Sequence, residues 1–222
     1  MAGQLSLFSA DTQRERLTDL EGLLPGPAQV VRRGGAARIS VVLPRPDPWR
    51  RDALLDGLTR LGVGAEVVQA ARETGRPVGV AVRTDFAADL EPIARRWSRG
   101  AAKHPPDGFY LDGPRLRWWC LSSGWPDGVG WMLRLDPLAA AGWPDVAAAL
   151  SSAGLPCTLV GRRAGGPACR LVGSRRLRRL AELVGTCPPG APEDDWPPGA
   201  GGSGSARPAP VAPGTPGTED QH

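Results

Sequence analysis

The sequence predicts an α+β fold built from two similar units. Leucine-rich stretches with helical spacing alternate with pairs of β-branched stretches, and the same order of elements occurs twice. From residue 186 onward apolar periodicity stops, and a stretch rich in proline and glycine begins. We therefore expect five segments: a flexible N-terminal peptide (1–11), a first unit (12–99), a linker (100–112), a second unit (113–185) and a disordered tail (186–222).

The first unit is predicted to be a helix, a hairpin, a helix, a hairpin and a helix. Its first helix, 14–24, has leucines at helical spacing and stops at a Pro-Gly-Pro sequence. Gly34 and Gly35 join the strands of the first hairpin, because β-branched residues flank them. The other elements follow in order: strands at 28–33 and 37–43, a helix at 52–63, strands at 65–69 and 77–83, and a helix at 86–97.

The second unit repeats this order in its main features. Its expected elements are a helix at 114–123, a strand at 129–136, a helix at 145–154, strands at 157–163 and 167–172, and a helix at 175–185. The matched pairs are Leu58/Leu150, Gly62/Gly154, Val63/Leu155, Val67/Leu159, Val68/Val160, Val82/Val172, Leu90/Leu180 and Ile93/Leu183. The alternative is two unrelated segments in chance register.

The adjacent Trp118 and Trp119 are expected to pack an interface, with one of them half exposed.

Charge and composition narrow the classes of function. Five of the 23 acidic residues and one of the 27 basic residues lie after Gly185, so residues 1–185 carry a net charge of about +8. The four cysteines form no Cys-x-x-Cys pair and there are two histidines, which supports neither a zinc site nor a disulfide framework. We expect no metal, cofactor or membrane partner, and a cytoplasmic location with possible association with the nucleoid.

Arginines recur on the strand faces that the core does not need. If helices cover the face of Ile39 and Val41, strand alternation places Arg38 and Arg83 on the opposite face of the first sheet. The same alternation places Arg134 and Arg170 on the opposite face of the second sheet.

Two stretches carry a resemblance to a known family. LEGLLPGPA (20–28) matches the signature helix of LAGLIDADG homing endonucleases at Leu20, Gly22 and Leu23, with a conservative Leu24. RWWCLSSGW (117–125) resembles a degenerate second signature helix. Over about residues 12–185 the chain is similar to this family, and most similar to the catalytically inactive LAGLIDADG-like domain of WhiA-type regulators. Those regulators continue into a helix-turn-helix domain, where this chain has the predicted tail.

The resemblance implies a DNA-binding scaffold without nuclease activity. In the family an acid at the end of each signature helix binds a divalent metal, but here those positions hold Pro25 and Pro27, and Ser123 and Gly124. Asp127 is the nearby carboxylate, in a sequence typical of a turn. The resemblance places DNA on the sheet faces, with these expected contacts: Arg32, Arg33, Arg38, Arg83, Arg134, Arg162, Arg163 and Arg170. The alternatives are a solvated arginine face, a protein-only interaction module and a metal-dependent endonuclease with displaced acids.

The N-terminal stretch QLSLF has no position in the predicted fold. Gln4, Leu5, Leu7 and Phe8 resemble the pentapeptide with which bacterial polymerases and repair factors dock on the DNA sliding clamp. We therefore expect the sliding clamp as a second partner, through Leu7 and Phe8 in an apolar pocket. The alternative is an apolar arm folded back on its own domain.

Overall fold

The computed structural model describes residues 8–43, 47–70, 72–73, 76–77, 79–100, 102–161 and 165–198. Gln4, Leu5, Leu7, Arg162 and Arg163 lie outside these residues.

The first unit contains two α-helices and one long 3₁₀ helix. In order it comprises 3₁₀ helices Ala10–Thr12 and Leu17–Leu23, β1 (Gln29–Arg33), β2 (Ala36–Leu43), α1 (Pro48–Arg60), β3 (Ala65–Gln69), β4 (Arg72–Glu73), β5 (Arg76–Pro77), β6 (Val80–Thr84), a 3₁₀ helix Ala88–Leu90 and α2 (Glu91–Arg96). The predicted helix at 14–24 begins later, because Arg16 is extended and its N–H donates to Asp19 Oδ2 over 2.7 Å. Burial raises the pKa of Asp19, and the backbone hydrogen bond opposes this shift.

A short hairpin leads into the second unit. The elements are β7 (Ser98–Arg99), β8 (Ala102–Lys103), α3 (Gly113–Ser123), β9 (Gly124–Asp127), β10 (Gly130–Arg134), a 3₁₀ helix Ala140–Gly142, α4 (Trp143–Ser152), β11 (Thr158–Val160), β12 (Ala168–Val172), α5 (Ser174–Val184) and a 3₁₀ helix Glu193–Asp195. Strand β9 follows α3 directly and was not predicted, since its sequence Gly-Trp-Pro-Asp has a turn composition.

The two units have equivalent four-stranded antiparallel sheets. The strand orders are β1-β2-β6-β3 and β9-β10-β12-β11, so each strand of one sheet has a counterpart in the other. Arg83 pairs with Glu66 in β3, and Arg170 pairs with Thr158 in β11. With Val67 equivalent to Leu159, Arg83 corresponds to Arg170 and Val82 corresponds to Cys169. The expected Val82/Val172 match is therefore wrong by three residues, while the α+β class and the two pseudo-symmetric units are confirmed.

Helices cover one face of each sheet and share one apolar core. Ile39, Val41, Trp131 and Leu133 are buried, as the alternation predicts. Trp118 and Trp119 are both buried, because α3 packs at once against the 3₁₀ helix Leu17–Leu23, α1 and α5. The expectation that one of them is half exposed is therefore wrong.

Three segments that the sequence assigned to linkers or flexible ends pack against the core. In the linker, Lys103 makes part-buried hydrogen bonds to the first unit, and Leu111 is buried. Ser9 is buried, and Asp11 Oδ2 accepts from the Thr186 N–H over 2.7 Å. Trp196 is 3% exposed, so residues 8–11 and 186–198, which the sequence assigned to a flexible peptide and to the tail, contact the folded core. The buried indole contributes a large apolar area to the packing of this proline-rich segment.

Within the described part of the chain, every helix is too short or too polar to cross a bilayer.

Candidate nucleic-acid interface

Two helices pack backbone to backbone at the centre of the molecule. They are the 3₁₀ helix Leu17–Leu23 and α3, which we call the signature helices. A Cβ atom on Gly22 would overlap the carbonyl group of Arg115, so only glycine allows this approach. A Cβ atom on Gly26 would lie 2.6 Å from Ser123 Oγ. The two helix ends therefore lie side by side.

A buried ion cluster crosses the interface between the signature helices. The Arg115 guanidinium lies 3.3 Å from Glu21 and 2.8 Å from Asp112, and its plane stacks 4.2 Å from the ring centroid of Tyr110. Arg96 lies 3.1 Å from the second carboxylate oxygen of Glu21. Because Glu21 is buried, these two arginines compensate its charge.

A lysine occupies the end of the first signature helix. Lys103 Nζ donates to the carbonyl oxygens of Gly26 and Ala28, both over 2.7 Å, and lies 2.7 Å from Asp136 Oδ2. The Asp136 N–H donates to Pro25 O over 2.9 Å. Burial lowers the pKa of Lys103, and the Asp136 carboxylate opposes this shift.

An arginine occupies the end of the second signature helix. Arg50, in the first turn of α1, donates to the carbonyls of Cys120, Leu121 and Gly124 over 2.9, 3.0 and 2.6 Å. Its Nε lies 3.4 Å from Asp47. Burial lowers the pKa of Arg50, and Asp47 opposes the shift. The cation adds hydrogen bonds to the carbonyls at the end of α3, where the Cys120 carbonyl also accepts from the Gly124 N–H.

The two helix ends are thus matched in chemistry. Each holds one cation of the chain itself, and the carboxylates of Asp47 and Asp136 are paired with these cations. Asp127 is ion-paired with Arg170 over 2.6 Å. Among the described residues, no group of three or more histidine, cysteine, aspartate or glutamate side chains is arranged to hold a metal ion.

We call the sheet faces turned away from the helices the open faces. Arg38, Arg83 and Arg33 share the open face of the first sheet, since they pair in register with Val31, Ser40 and Ala36. Arg38 lies 4.8 Å from the ring centroid of Phe86, and its Nε is buried without a hydrogen-bond partner among the described residues. Arg83 lies 2.7 Å from Glu66 on the same face.

The open face of the second sheet carries Arg134 and Arg170. Arg134 stacks over the Trp125 ring at 4.9 Å from its centroid, and Arg170 is the partner of Asp127. Arg134 lies at the end of β10, and its carbonyl accepts from the Trp119 indole over 2.9 Å. The open face of this sheet therefore begins where the signature helices end.

Of the eight arginines expected to contact DNA, five lie on the open faces. Arg32 lies on the helix-covered face of β1, 2.6 Å from Glu91 of α2. Arg162 and Arg163 lie outside the described residues. Sequence reasoning missed Arg50 and Lys103, whose contacts join residues 70 to 77 positions apart. The one available signal was that Lys103 is the single lysine among 27 basic residues.

Comparison with known proteins identifies the fold. No protein-family model and no curated protein sequence matches the chain. The homing endonuclease I-WcaI bound to its DNA recognition sequence matches with a TM-score of 0.56 and 11% identity, over 75% of this chain and 79% of that chain. The N-terminal LAGLIDADG domain of WhiA matches with a TM-score of 0.47 and 9% identity, over 77% of this chain and 80% of that chain. I-DmoI in complex with DNA and Mn matches with a TM-score of 0.43 and 12% identity, over 77% of this chain and 96% of that chain. The chain therefore has a LAGLIDADG-like fold, as predicted from its sequence.

Proposed function

We propose that this protein is a noncatalytic DNA-binding protein that acts in regulation or in DNA maintenance. The observation that carries the proposal is the chemistry around the two signature-helix ends. Arginines lie on both adjoining sheet faces, and a buried cation of the chain occupies each helix end.

The chemistry of the open faces favours binding of a polyanion over a face that only contacts solvent. Guanidinium groups bind phosphates in bidentate geometry, and the stacked Arg38 and Arg134 present theirs on aromatic rings. Glu66 and Asp127 each hold one arginine in place, so DNA has to compete with two carboxylates. We therefore expect moderate affinity with a strong dependence on salt concentration.

The same helix ends argue against nuclease chemistry. A divalent metal requires carboxylate or carbonyl oxygens free to coordinate it, whereas Lys103 and Arg50 direct their N–H groups at the carbonyls there. A metal ion at either end would lie against a cation of the chain. The runner-up, an endonuclease with displaced acids, would have to bring carboxylates from elsewhere.

Binding to a labelled duplex over a series of KCl concentrations tests the proposal. We expect the logarithm of the binding constant to fall linearly with the logarithm of the salt concentration. Arg38→Ala, on an open face, should weaken binding about tenfold at low salt. Arg95→Ala on α2 is the matched control, because it removes the same charge from the helix side. Equal effects of both variants, or no binding at all, would contradict the proposal and favour a protein-only module.

Incubation of a supercoiled plasmid with Mg²⁺ or Mn²⁺ tests the noncatalytic part. We expect no cleavage at protein concentrations that saturate the DNA. Metal-dependent cleavage that Lys103→Met leaves unchanged would instead support the endonuclease.

Docking on the sliding clamp is a second candidate function, which Phe8 favours. Its side chain is 63% exposed, while its carbonyl lies against Gly113 at the start of α3. An 11-residue helix is about 15 Å long, so α3 separates Phe8 from Ser123 and the open faces. This would let clamp and DNA bind together. We expect Leu7→Ala with Phe8→Ala to abolish clamp binding and leave the melting temperature unchanged, whereas a large fall in melting temperature would identify the arm as core.

A further inference from the structure

The C-terminal segment 186–198 returns to the end of the second signature helix. Its anchor is Trp196, whose ring packs edge-on against Trp49 with 6.4 Å between centroids and whose indole N–H donates to Gly185 O over 3.0 Å. Arg117 lies 5.2 Å from the centroid of the same ring. The anchor fixes the 3₁₀ helix Glu193–Asp195, which carries three consecutive acids, beside β9.

Asp195 lines a polar cavity with groups that bind phosphates. The cavity has a volume of about 170 Å³, and its other walls include Arg50, Arg134, Trp125 and the hydroxyl-bearing Ser122 and Ser123. Asp194 is exposed and does not line it. The cavity opens where α3 meets the open face of the second sheet, because Arg134 and Trp125 belong to that face.

The charges of the described residues that line the cavity sum to zero when Asp195 is included. Arg50 and Arg134 contribute two positive charges, and Asp47 and Asp195 contribute two negative charges. Asp47 is paired with Arg50 inside the fold, whereas Asp195 is held there by a segment near the end of the described chain. The negative charge of Asp195 also raises the pKa of Arg50, against the larger effect of burial. Removing Asp195 leaves a cavity with guanidinium and hydroxyl donors and one excess positive charge.

We propose that Asp195 occupies the position of a DNA backbone phosphate, so that the C-terminal segment competes with DNA for the second open face. This inference rests on the proposed DNA-binding function. DNA binding requires the segment to leave the cavity. The apparent affinity for DNA is therefore proportional to the fraction of molecules in which the segment has left it.

Duplex binding by the full chain tests this inference through a matched pair of variants. Asp195→Asn and Asp194→Asn make the same change in net charge within one turn, but only Asp195 lines the cavity. We expect Asp195→Asn to tighten binding about three- to tenfold at low salt, and Asp194→Asn to change it less than about twofold. Hydrogen exchange gives a second measure: addition of duplex should speed exchange of the Asp195 N–H, which donates to Pro192 O over 2.9 Å.

The outcomes separate the two proposals. Binding by the wild type with equal effects of the two variants, or with unchanged exchange of the segment, overturns the inference and leaves the DNA-binding proposal in place. Failure of all three proteins to bind duplex overturns the DNA-binding proposal and the competition with it.

Discussion

Replacing Arg50 with methionine should destabilise the protein strongly, although the side chain keeps most of its volume. Arg50 is 6% exposed and donates three hydrogen bonds of 2.6 to 3.0 Å to the carbonyls of Cys120, Leu121 and Gly124. The carbonyls of Leu121 and Gly124 lose the Arg50 donor at about 1 kcal/mol each, whereas the Cys120 carbonyl keeps the Gly124 N–H. Asp47 loses its partner as well. We expect the free energy of unfolding to fall by about 3–5 kcal/mol.

Urea unfolding followed by tryptophan fluorescence measures this loss. For a chain of this size about 1 kcal/mol corresponds to 2–4 °C, so the melting temperature should fall by about 6–20 °C. Arg51→Met is the matched control, because the half-exposed Arg51 pairs only with the exposed Asp52 among the described residues; it should leave the melting temperature nearly unchanged. Arg50→Lys keeps the positive charge but loses the planar guanidinium with its several N–H donors. Its loss of stability should lie between those of the other two variants.

A loss below about 1 kcal/mol for Arg50→Met would refute this reasoning. It would mean that water or a neighbouring donor satisfies the end of α3 equally well. The proposed role of Arg50 as the cation that closes this helix end would then be wrong.

Three further predictions concern packing and cysteine chemistry. Gly22→Ala should cost about 3 kcal/mol or more in thermal unfolding, because its Cβ meets backbone, whereas Gly161→Ala, with open space around its Cβ, should be tolerated. Alkylation of the native protein should modify Cys187 and spare Cys120, since Cys187 is exposed and burial raises the pKa of Cys120 to about 12; modification of Cys120 at the rate of Cys187 would contradict its burial. Trp196→Ala should release segment 186–198 and speed cleavage after Glu193 by a glutamate-specific protease, whereas unchanged cleavage would show that the indole is not the anchor.

Local pattern was sufficient to predict most of the elements. Leucine spacing located α1, α4 and α5, and β-branched pairs around Gly34 and Gly35 located β1 and β2. Alternation along β2 correctly separated the buried Ile39 and Val41 from Arg38, whereas in β10 Met132 is buried although it shares the face of Arg134. These predictions succeed because the period of a helix or a strand is set by neighbours in the sequence.

The errors occur where strand pairing or side-chain packing overrides local composition. Gly-Trp-Pro-Asp forms β9 because β10 pairs with it, and the proline-rich 186–198 is fixed because Trp196 finds Trp49. The placement of Arg32 on the helix-covered face follows from the register of β1 on β2, which moves its guanidinium to Glu91.

The sequence by itself determined the α+β class, the duplicated unit and the loss of acids from the signature-helix ends, because these are properties of order and composition. Only the tertiary structure decided what replaced those acids. Lys103 reaches Gly26 across 77 residues and Arg50 reaches Gly124 across 74, and no local period predicts such contacts. Both cations are held there because a buried charge is tolerated only where carbonyls and a carboxylate surround it, and folding alone brings those groups together.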